Sequence, residues 1–473
     1  MFMKVTLENI GVFRFAEYEI ADLTIIAGRN NTGKTYATYS LYSFLDFFWN
    51  GFRIGVPQKW VTTLLQNGTL TISLDISQKE IDNYLQEACE DFRKYLPRVF
   101  AAQEKYFTES RVSVSLNADE IQLPQVFDRS YKTEKREFLQ IVKAKAKKEL
   151  TVNLMLSGSD SEDDRPLRLT ISRILGDVYK EILFSNAFRE CFLASAERTG
   201  AVIFKDELNV QKNTLLREVA HTDNIDLESI MTKMYSTAYA LPVRRDIDFI
   251  RNLDSISKKD GELYKAHPEI IEEFNGIVGG TYKVSKDGLY FIPVQAKNVK
   301  LTIGESASAV RSLLDMYFYL RHVARPGQML MIDEPEKNLH PESQRRMARL
   351  LAKLVNLGIK VFVTTHSDYL VKEFNTLMML KAREENNELL VQMAQRGYNR
   401  AGLIDSRQVK MYVSTISPVL LNGYARRVNI QTLVPAVVDP MFGIEATSFD
   451  STINEMNEIQ ERIMFSSDGY TES

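Results

Sequence analysis

The chain is poor in residues that staple, ligate or span. It has two cysteines, Cys89 and Cys191, in 473 residues. They lie far apart in sequence, with no partner at metal-ligand spacing. That excludes a disulfide scaffold and predicts buried thiols in a reducing compartment. Only five histidines occur, and they form no visible cluster with asparagine or acids. No run of about 18 uncharged apolar residues is present, so no membrane span is expected. The start, Met1-Phe2-Met3-Lys4-Val5, lacks the apolar stretch of a signal peptide. A cytoplasmic location follows as the expectation. The net charge of -3 gives no overall attraction to nucleic acid, so any such binding must come from a local patch. With 44% hydrophobic and 26% charged residues, the chain reads as folded and globular. Its length is about three domains' worth.

What is present is one organising stretch, Ile25-Ile26-Ala27-Gly28-Arg29-Asn30-Asn31-Thr32-Gly33-Lys34-Thr35. Two β-branched residues lead in as a buried strand would. The pattern G-x-x-x-x-G-K-[ST] follows, and Tyr36 to Phe48 carries apolar residues at helical spacing. Strand, glycine-bounded loop and helix are the context that a phosphate-binding loop requires. Glycines let backbone N–H groups turn toward phosphate oxygens, and the helix N-terminus adds partial positive charge. Lys34 is placed for the β- and γ-phosphates, and Thr35 offers a hydroxyl to Mg²⁺.

Before this stretch, residues 3–26 read as short strands, with breaks at Gly11 and near Glu17 and Asp22. After it the character changes. Thr69 to Leu74, Arg111 to Leu116 and Thr151 to Met155 read as strands. Gln78 to Gln103, Lys132 to Leu150 and Leu167 to Phe188 read as helices, the second strongly charged. Ser157 to Asp164 reads as a solvated acidic loop. Cys191 to Ala194 has core-strand character. From spacing alone, Glu197-Arg198 just beyond it reads as an ordinary rim salt bridge. Residues 205–275 look helical, and Thr281 to Val294 a hairpin turning at Asp287-Gly288.

Gln328-Met329-Leu330-Met331-Ile332-Asp333-Glu334-Pro335 is an apolar strand ending in two acids. Asp333 is assigned to the metal. Glu334 points the other way off the strand end and is assigned to the attacking water. A basic helix from Glu342 to Asn356 follows, then the strand Ile359 to Val363. At its carboxyl end, where ligands sit in such sheets, lies Thr364-Thr365-His366-Ser367. His366 is therefore placed to reach the γ-phosphate.

Taken together, Gly28 to Thr35, Ile332 to Pro341 and Thr364 to Ser367 resemble the ABC-type ATPase core, in particular its RecF/SMC/OLD-like branch. Asp333-Glu334-Pro335-Glu336-Lys337-Asn338-Leu339-His340-Pro341 matches that branch's DEPExxLHP run, and Ala196-Glu197-Arg198-Thr199-Gly200 its AERxG stretch. The resemblance implies ATP and Mg²⁺ as ligands and a head-to-head pair of subunits. It also implies a signature helix whose serine touches the nucleotide of the second copy. Ser308 is the first choice for that contact and Ser306 the second, with Ala309 where the family has glycine. The implied fold is an α/β P-loop NTPase head with a mixed parallel and antiparallel sheet. Its parts would be 1–51 and 189–375, with a mostly helical insertion lobe at 52–188 and an α/β extension at 376–473. In that extension Glu388 to Met393 reads as a strand, and Asp405 to Ile416 and Thr447 to Phe465 as helices, with a loose tail after Ser466.

OLD-like proteins often add a nuclease that needs an Asp-x-Asp pair for its metals. After Ser367 the aspartates Asp368, Asp405, Asp439 and Asp450 are isolated, so no built-in nuclease is expected. Two functions remain. One is the ATPase engine or sensor of a bacterial anti-phage system with a separate effector, a nuclease or toxin, as in Septu. The other is a RecF-like repair ATPase binding DNA through Arg244-Arg245 or the Arg345-Arg346-Arg349 face.

Overall fold

The computed structural model describes residues 3–132, 137–155, 165–203, 239–285, 287–421, 423–444 and 458–462. The chain opens with strands β1 (Met3–Ile10) and β2 (Phe13–Ile20), antiparallel around Gly11, then β3 (Leu23–Gly28) and helix α1 (Lys34–Asn50). β2 runs without interruption through Glu17, where a break was expected. Alternate residues of β1 and β2 are buried, so one face packs and the other meets water.

Next come β4 (Thr69–Ser73), β5 (Arg111–Ser115), β6 (Phe127–Lys132), β7 (Glu137–Lys143) and β8 (Glu149–Leu154). A helix at Gln78–Arg93 starts on a capping box, Ser77 with Glu80, and another spans Arg165–Phe184. Among the described residues of 52–188, helices thus share the segment with five strands, where a mostly helical lobe was expected. β4, β8, β7 and β6 form an antiparallel sheet, in that order, and β5 pairs with β1 as the third strand of the N-terminal sheet. Lys132 to Leu150, expected as a charged helix, is largely the β7–β8 hairpin. Lys145, Lys147 and Lys148 crowd the exposed turn, while Leu139, Ile141, Leu150 and Val152 alternate into the core. The acidic loop 157–164 lies outside the described residues.

The second half adds β9 (Cys191–Ala194), helices α2 (Arg198–Ile203) and α3 (Leu241–Arg251), and β10 (Gly280–Ser285), β11 (Gly288–Pro293) and β12 (Leu301–Thr302). Then come α4 (Ser308–Ser312), β13 (Met329–Asp333), α5 (Pro341–Asn356), β14 (Lys360–Thr365) and α6 (Asp368–Lys381). The long strands β15 (Val409–Val419) and β16 (Val428–Pro435) follow, and then a short two-stranded pair, Val438–Asp439 with Gly443–Ile444. Two local expectations reverse here. Asn387–Ala394 is a helix rather than a strand, and Asp405 to Ile416 falls mainly in β15 rather than in a helix. Of the helix expected at Thr447 to Phe465, only residues 458–462 are described, and they are helical; the tail after Ser466 lies outside the described residues.

The central sheet has the order β16-β15-β3-β14-β13-β9. β9, β13, β14, β3 and β15 are mutually parallel, and β16 returns antiparallel to β15. Parallel strands covered on both faces need nearly continuous apolar runs, and every residue of β3 and β13 is buried. The sheet brings the carboxyl ends of β3, β13 and β14 side by side, with Asp333 opposite Thr364 and Ala27 opposite Thr365. Among the described residues, no helix is long and apolar enough to cross a membrane.

Candidate active site

The loop between β3 and α1 depends on backbone shapes that few side chains permit. Gly28 and Gly33 have φ of 153° and 103°. A Cβ at Gly28 would lie 2.8 Å from the Ser414 carbonyl, and one at Gly33 2.7 Å from the Phe13 ring and Val12. Only glycine fits both the angle and the space. Within the loop, Thr32 donates its hydroxyl to the Arg29 carbonyl at 2.8 Å. Arg29, Asn30 and Asn31 stay exposed.

Lys34 is buried, and its ammonium donates to the carbonyls of Gly28 and Arg29, both at 2.9 Å. Burial lowers its pKa, opposed by the charges of Glu334, Asp333 and Glu336. The next residue, Thr35, donates its hydroxyl to Asp333 Oδ2 at 3.1 Å across 298 residues of sequence. Asp333 Oδ1 accepts from the Thr364 hydroxyl. Burial pushes the Asp333 carboxyl up to about 6 against those two hydrogen bonds. A hydroxyl and a carboxylate converging beside the phosphate loop are the donor set suited to Mg²⁺, which takes oxygen ligands.

Glu334 sits one residue further on with φ at 54°, a conformation that costs a non-glycine residue about 1–3 kcal/mol. Its N–H donates to the Thr364 carbonyl at 3.0 Å. Its carboxylate lies 3.5 Å from Nδ1 of His366, which is also 3.4 Å from Glu336. The histidine holds Glu334 below the usual carboxylate range, and the glutamates raise His366 in return. Glu336 is buried and accepts from the Thr365 hydroxyl at 2.7 Å and the His366 N–H at 2.8 Å. It therefore fixes the β14 end that carries His366.

Arg198 is the residue whose surroundings differ most from expectation. It is 1% exposed, not on a rim. Its guanidinium donates to four carbonyls: Ser312 at 2.6 Å, Ser195 at 2.8 Å, Asp333 at 2.6 Å and Glu334 at 2.8 Å. Neighbouring Glu197 does not pair with it but accepts from the Tyr39 hydroxyl of α1 at 2.5 Å. Behind Arg198 two buried carboxylates, Asp246 and Asp315, face each other's charge. Burial raises Asp246 well above the usual range and Asp315 to about 6. Sequence spacing could not show the four carbonyl partners, because three of them lie more than a hundred residues away. The AERxG match was the one signal pointing to Arg198.

The two serine candidates separate. Ser308 is exposed at the first turn of α4, accepting from Arg311 at 3.3 Å. Ser306 is 3% exposed, and its hydroxyl donates to the Thr302 carbonyl at 2.8 Å. A further contributor comes from the far end of the chain. Ser414 of β15 pairs with Gly28, and its hydroxyl donates to the Thr32 carbonyl at 2.7 Å, holding the loop from the side. A cleft of about 1130 Å³ opens between the loop, Glu336, His366 and the β15–β16 hairpin, ample for a nucleoside triphosphate.

Among solved structures, the chain is similar to the Smc head domain with an extended coiled coil from Pyrococcus furiosus. The identity is 12% over 97% of this chain and 99% of that one, with a TM-score of 0.31. The SMC head domain from Thermotoga maritima gives 11% identity over 92% and 99%, with a TM-score of 0.29. No curated protein matches the chain significantly in sequence. The AAA ATPase domain family matches residues 1–371, which hold the phosphate loop, both acids of β13 and His366. The chain belongs to that family and is an ATP-binding P-loop ATPase.

Proposed function

We propose that this chain hydrolyses ATP with Mg²⁺ in a head-to-head pair and so drives a bacterial anti-phage system whose effector is a separate nuclease or toxin. The carrying observation is the meeting of Thr35 and Asp333 at 3.1 Å beside Lys34. Mg²⁺, when bound with ATP between Thr35 and Asp333, supplies positive charge to the β- and γ-phosphates. The chain's own groups do the rest. Lys34 leaves the loop carbonyls for the phosphate oxygens. Glu334, kept ionised at neutral pH by His366, takes a proton from the water that attacks the γ-phosphorus. The bond from that phosphorus to the β–γ bridging oxygen breaks, and ADP and phosphate leave. His366 hydrogen-bonds the γ-phosphate, and Ser308 of one copy completes the site of the other. Loss of that phosphate removes contacts that favour the closed pair, which opens. The cytoplasm is the compartment that fits.

The defence reading rests on the motif resemblance and on the isolated aspartates after Ser367. The repair reading needs free cations for DNA. Arg345 and Arg349 instead hold the buried Glu373 at 2.7 and 2.5 Å, Arg346 faces Glu342, and Arg245 holds Asp46. That favours a protein effector over duplex binding.

Glu334→Gln tests the mechanism. It should keep ATP binding and trap an ATP-bound pair visible by light scattering, while turnover falls about 10²–10⁴-fold. Full turnover in that variant removes Glu334 from its role. Phage plating of cells carrying this gene and its neighbours tests the defence reading. Protection lost on Lys34→Ala supports it, and no protection by the intact set refutes it. Salt-dependent duplex binding by the purified protein would move the assignment to repair.

A further inference from the structure

We propose that Arg198 is a positioning residue that makes the two nucleotide sites of a head pair interdependent. It joins the helix offered to the partner to the backbone of this chain's own Glu334. The inference rests on the head-to-head reading above.

The argument starts from the cost of the residue. A guanidinium almost wholly removed from water must be compensated by good hydrogen bonds and nearby opposite charge. Here four backbone carbonyls take its donors, and its charge opposes the rise that burial imposes on the Asp246 and Asp315 carboxyls behind it. A side chain needed only to fill space could be apolar. This one gathers carbonyls from three separate segments: Ser195 after β9, Ser312 at the end of α4, and Asp333 with Glu334 at the end of β13.

The segments matter because of what each carries. α4 is a five-residue helix with Ser308 at its start and Ser312 at its end. Arg311 ties its entry together by donating to the carbonyls of Gly304 and Ser306. A displacement of Ser308 on docking is therefore carried to the Ser312 carbonyl about one helical turn away. Arg198 Nε holds that carbonyl. Nη2 of the same planar group holds the carbonyl of Glu334. The peptide before Glu334 is fixed from the opposite side, by the Thr364 carbonyl accepting its N–H. Glu334 thus keeps its left-handed backbone only while both neighbouring peptides are held. The guanidinium fork is rigid, so its two ends cannot move independently. Docking of α4 on the partner's nucleotide then sets the aim of the Glu334 carboxylate at home, and the equilibrium coupling runs equally in reverse.

Arg198→Lys keeps the charge but cannot span four carbonyls from one ammonium. In the full-length protein, we expect this variant to bind a fluorescent ATP analogue within about twofold of the parent and to form the ATP-dependent pair. Its kcat should fall at least about tenfold, and the Hill coefficient for ATP, above 1 in the parent, should drop to about 1. Unchanged kcat and Hill coefficient would overturn the proposal.

If Arg198→Lys does not fold, a mixed pair decides. One copy carries Ser308→Arg and the other is unaltered. The altered copy cannot dock on its partner's nucleotide, although its own site is still completed by the partner's serine. Interdependence predicts turnover well below half that of the parent pair. Half the parent turnover means the two sites work independently and ends the inference. A Ser308→Arg homodimer that still pairs and turns over ATP normally would instead strike at the head-to-head reading.

Discussion

The nucleotide-binding strands and the outer sheet of residues 69–154 are built on opposite terms. β3, β13 and β14 are apolar along their length and end in glycine, acid or hydroxyl residues whose chemistry is all turned to one edge. β4 and β8 bury alternate residues, β7 buries Leu139 and Ile141, β6 stays at the surface, and none of them pairs with β3 beside the phosphate loop. The first region stores its information in chemistry placed at strand ends, the second in complementary surfaces. Changes in the first should therefore disable function without unfolding the chain, and changes in the second should do the reverse.

Lys34→Ala is the hardest test of that contrast. It should weaken ATP binding about 10³-fold, about 4 kcal/mol by calorimetric titration, with circular dichroism unchanged. A parallel loss of folded structure would erase the distinction. Leu139→Ala, at a fully buried position of β7, should cost about 3 kcal/mol of stability in urea unfolding and leave kcat per folded molecule intact. Ser414→Ala places the chain's far end on one side or the other. With its hydrogen bond to the loop gone, KM for ATP should rise about fivefold, matching about 1 kcal/mol, with Tm nearly constant. A fall in Tm with KM unchanged would class β15 with the structural sheets.

The smallest effect concerns Asp246 and Asp315. Both carboxyls stand above their usual range when folded, so the folded chain holds protons that the unfolded chain releases. Their contribution is fully present below about pH 4; that of Asp315 is lost as pH rises through about 6, and that of Asp246 is lost as pH rises through its own raised value. Asp246→Asn can still accept from the Ser195 N–H. It should flatten that loss, read as a smaller drop in urea midpoint between about pH 4 and about pH 7.

The same contrast explains what the sequence disclosed. Ile25 to Thr35 and Met329 to Glu334 were readable because loop, strand and chemistry are contiguous there. The mixed sheet was legible from those strands too. Lys132 to Leu150 was not, because its lysines stand in a turn and suggested a solvated helix, while the period-two pattern of Leu139, Ile141, Leu150 and Val152 spans two strands. β15 owes its form to pairing with β3, nearly four hundred residues earlier, which no local window contains. Arg198 beside Glu197 looked like surface charge. Its partners are main-chain carbonyls, which carry no residue identity and leave no trace in spacing.

The placement of β3 between β14 and β15 sets a timetable. The phosphate loop leaves the ribosome ahead of both strands that flank β3, neither of which emerges before residue 360. The glycine loop lacks the acids that face Lys34 and Thr35 until β13 is made, and the Ser414 brace until β15 is made. A nascent chain therefore carries an unfinished cradle until the last of these strands is made, and full competence to hold the triphosphate waits for β15.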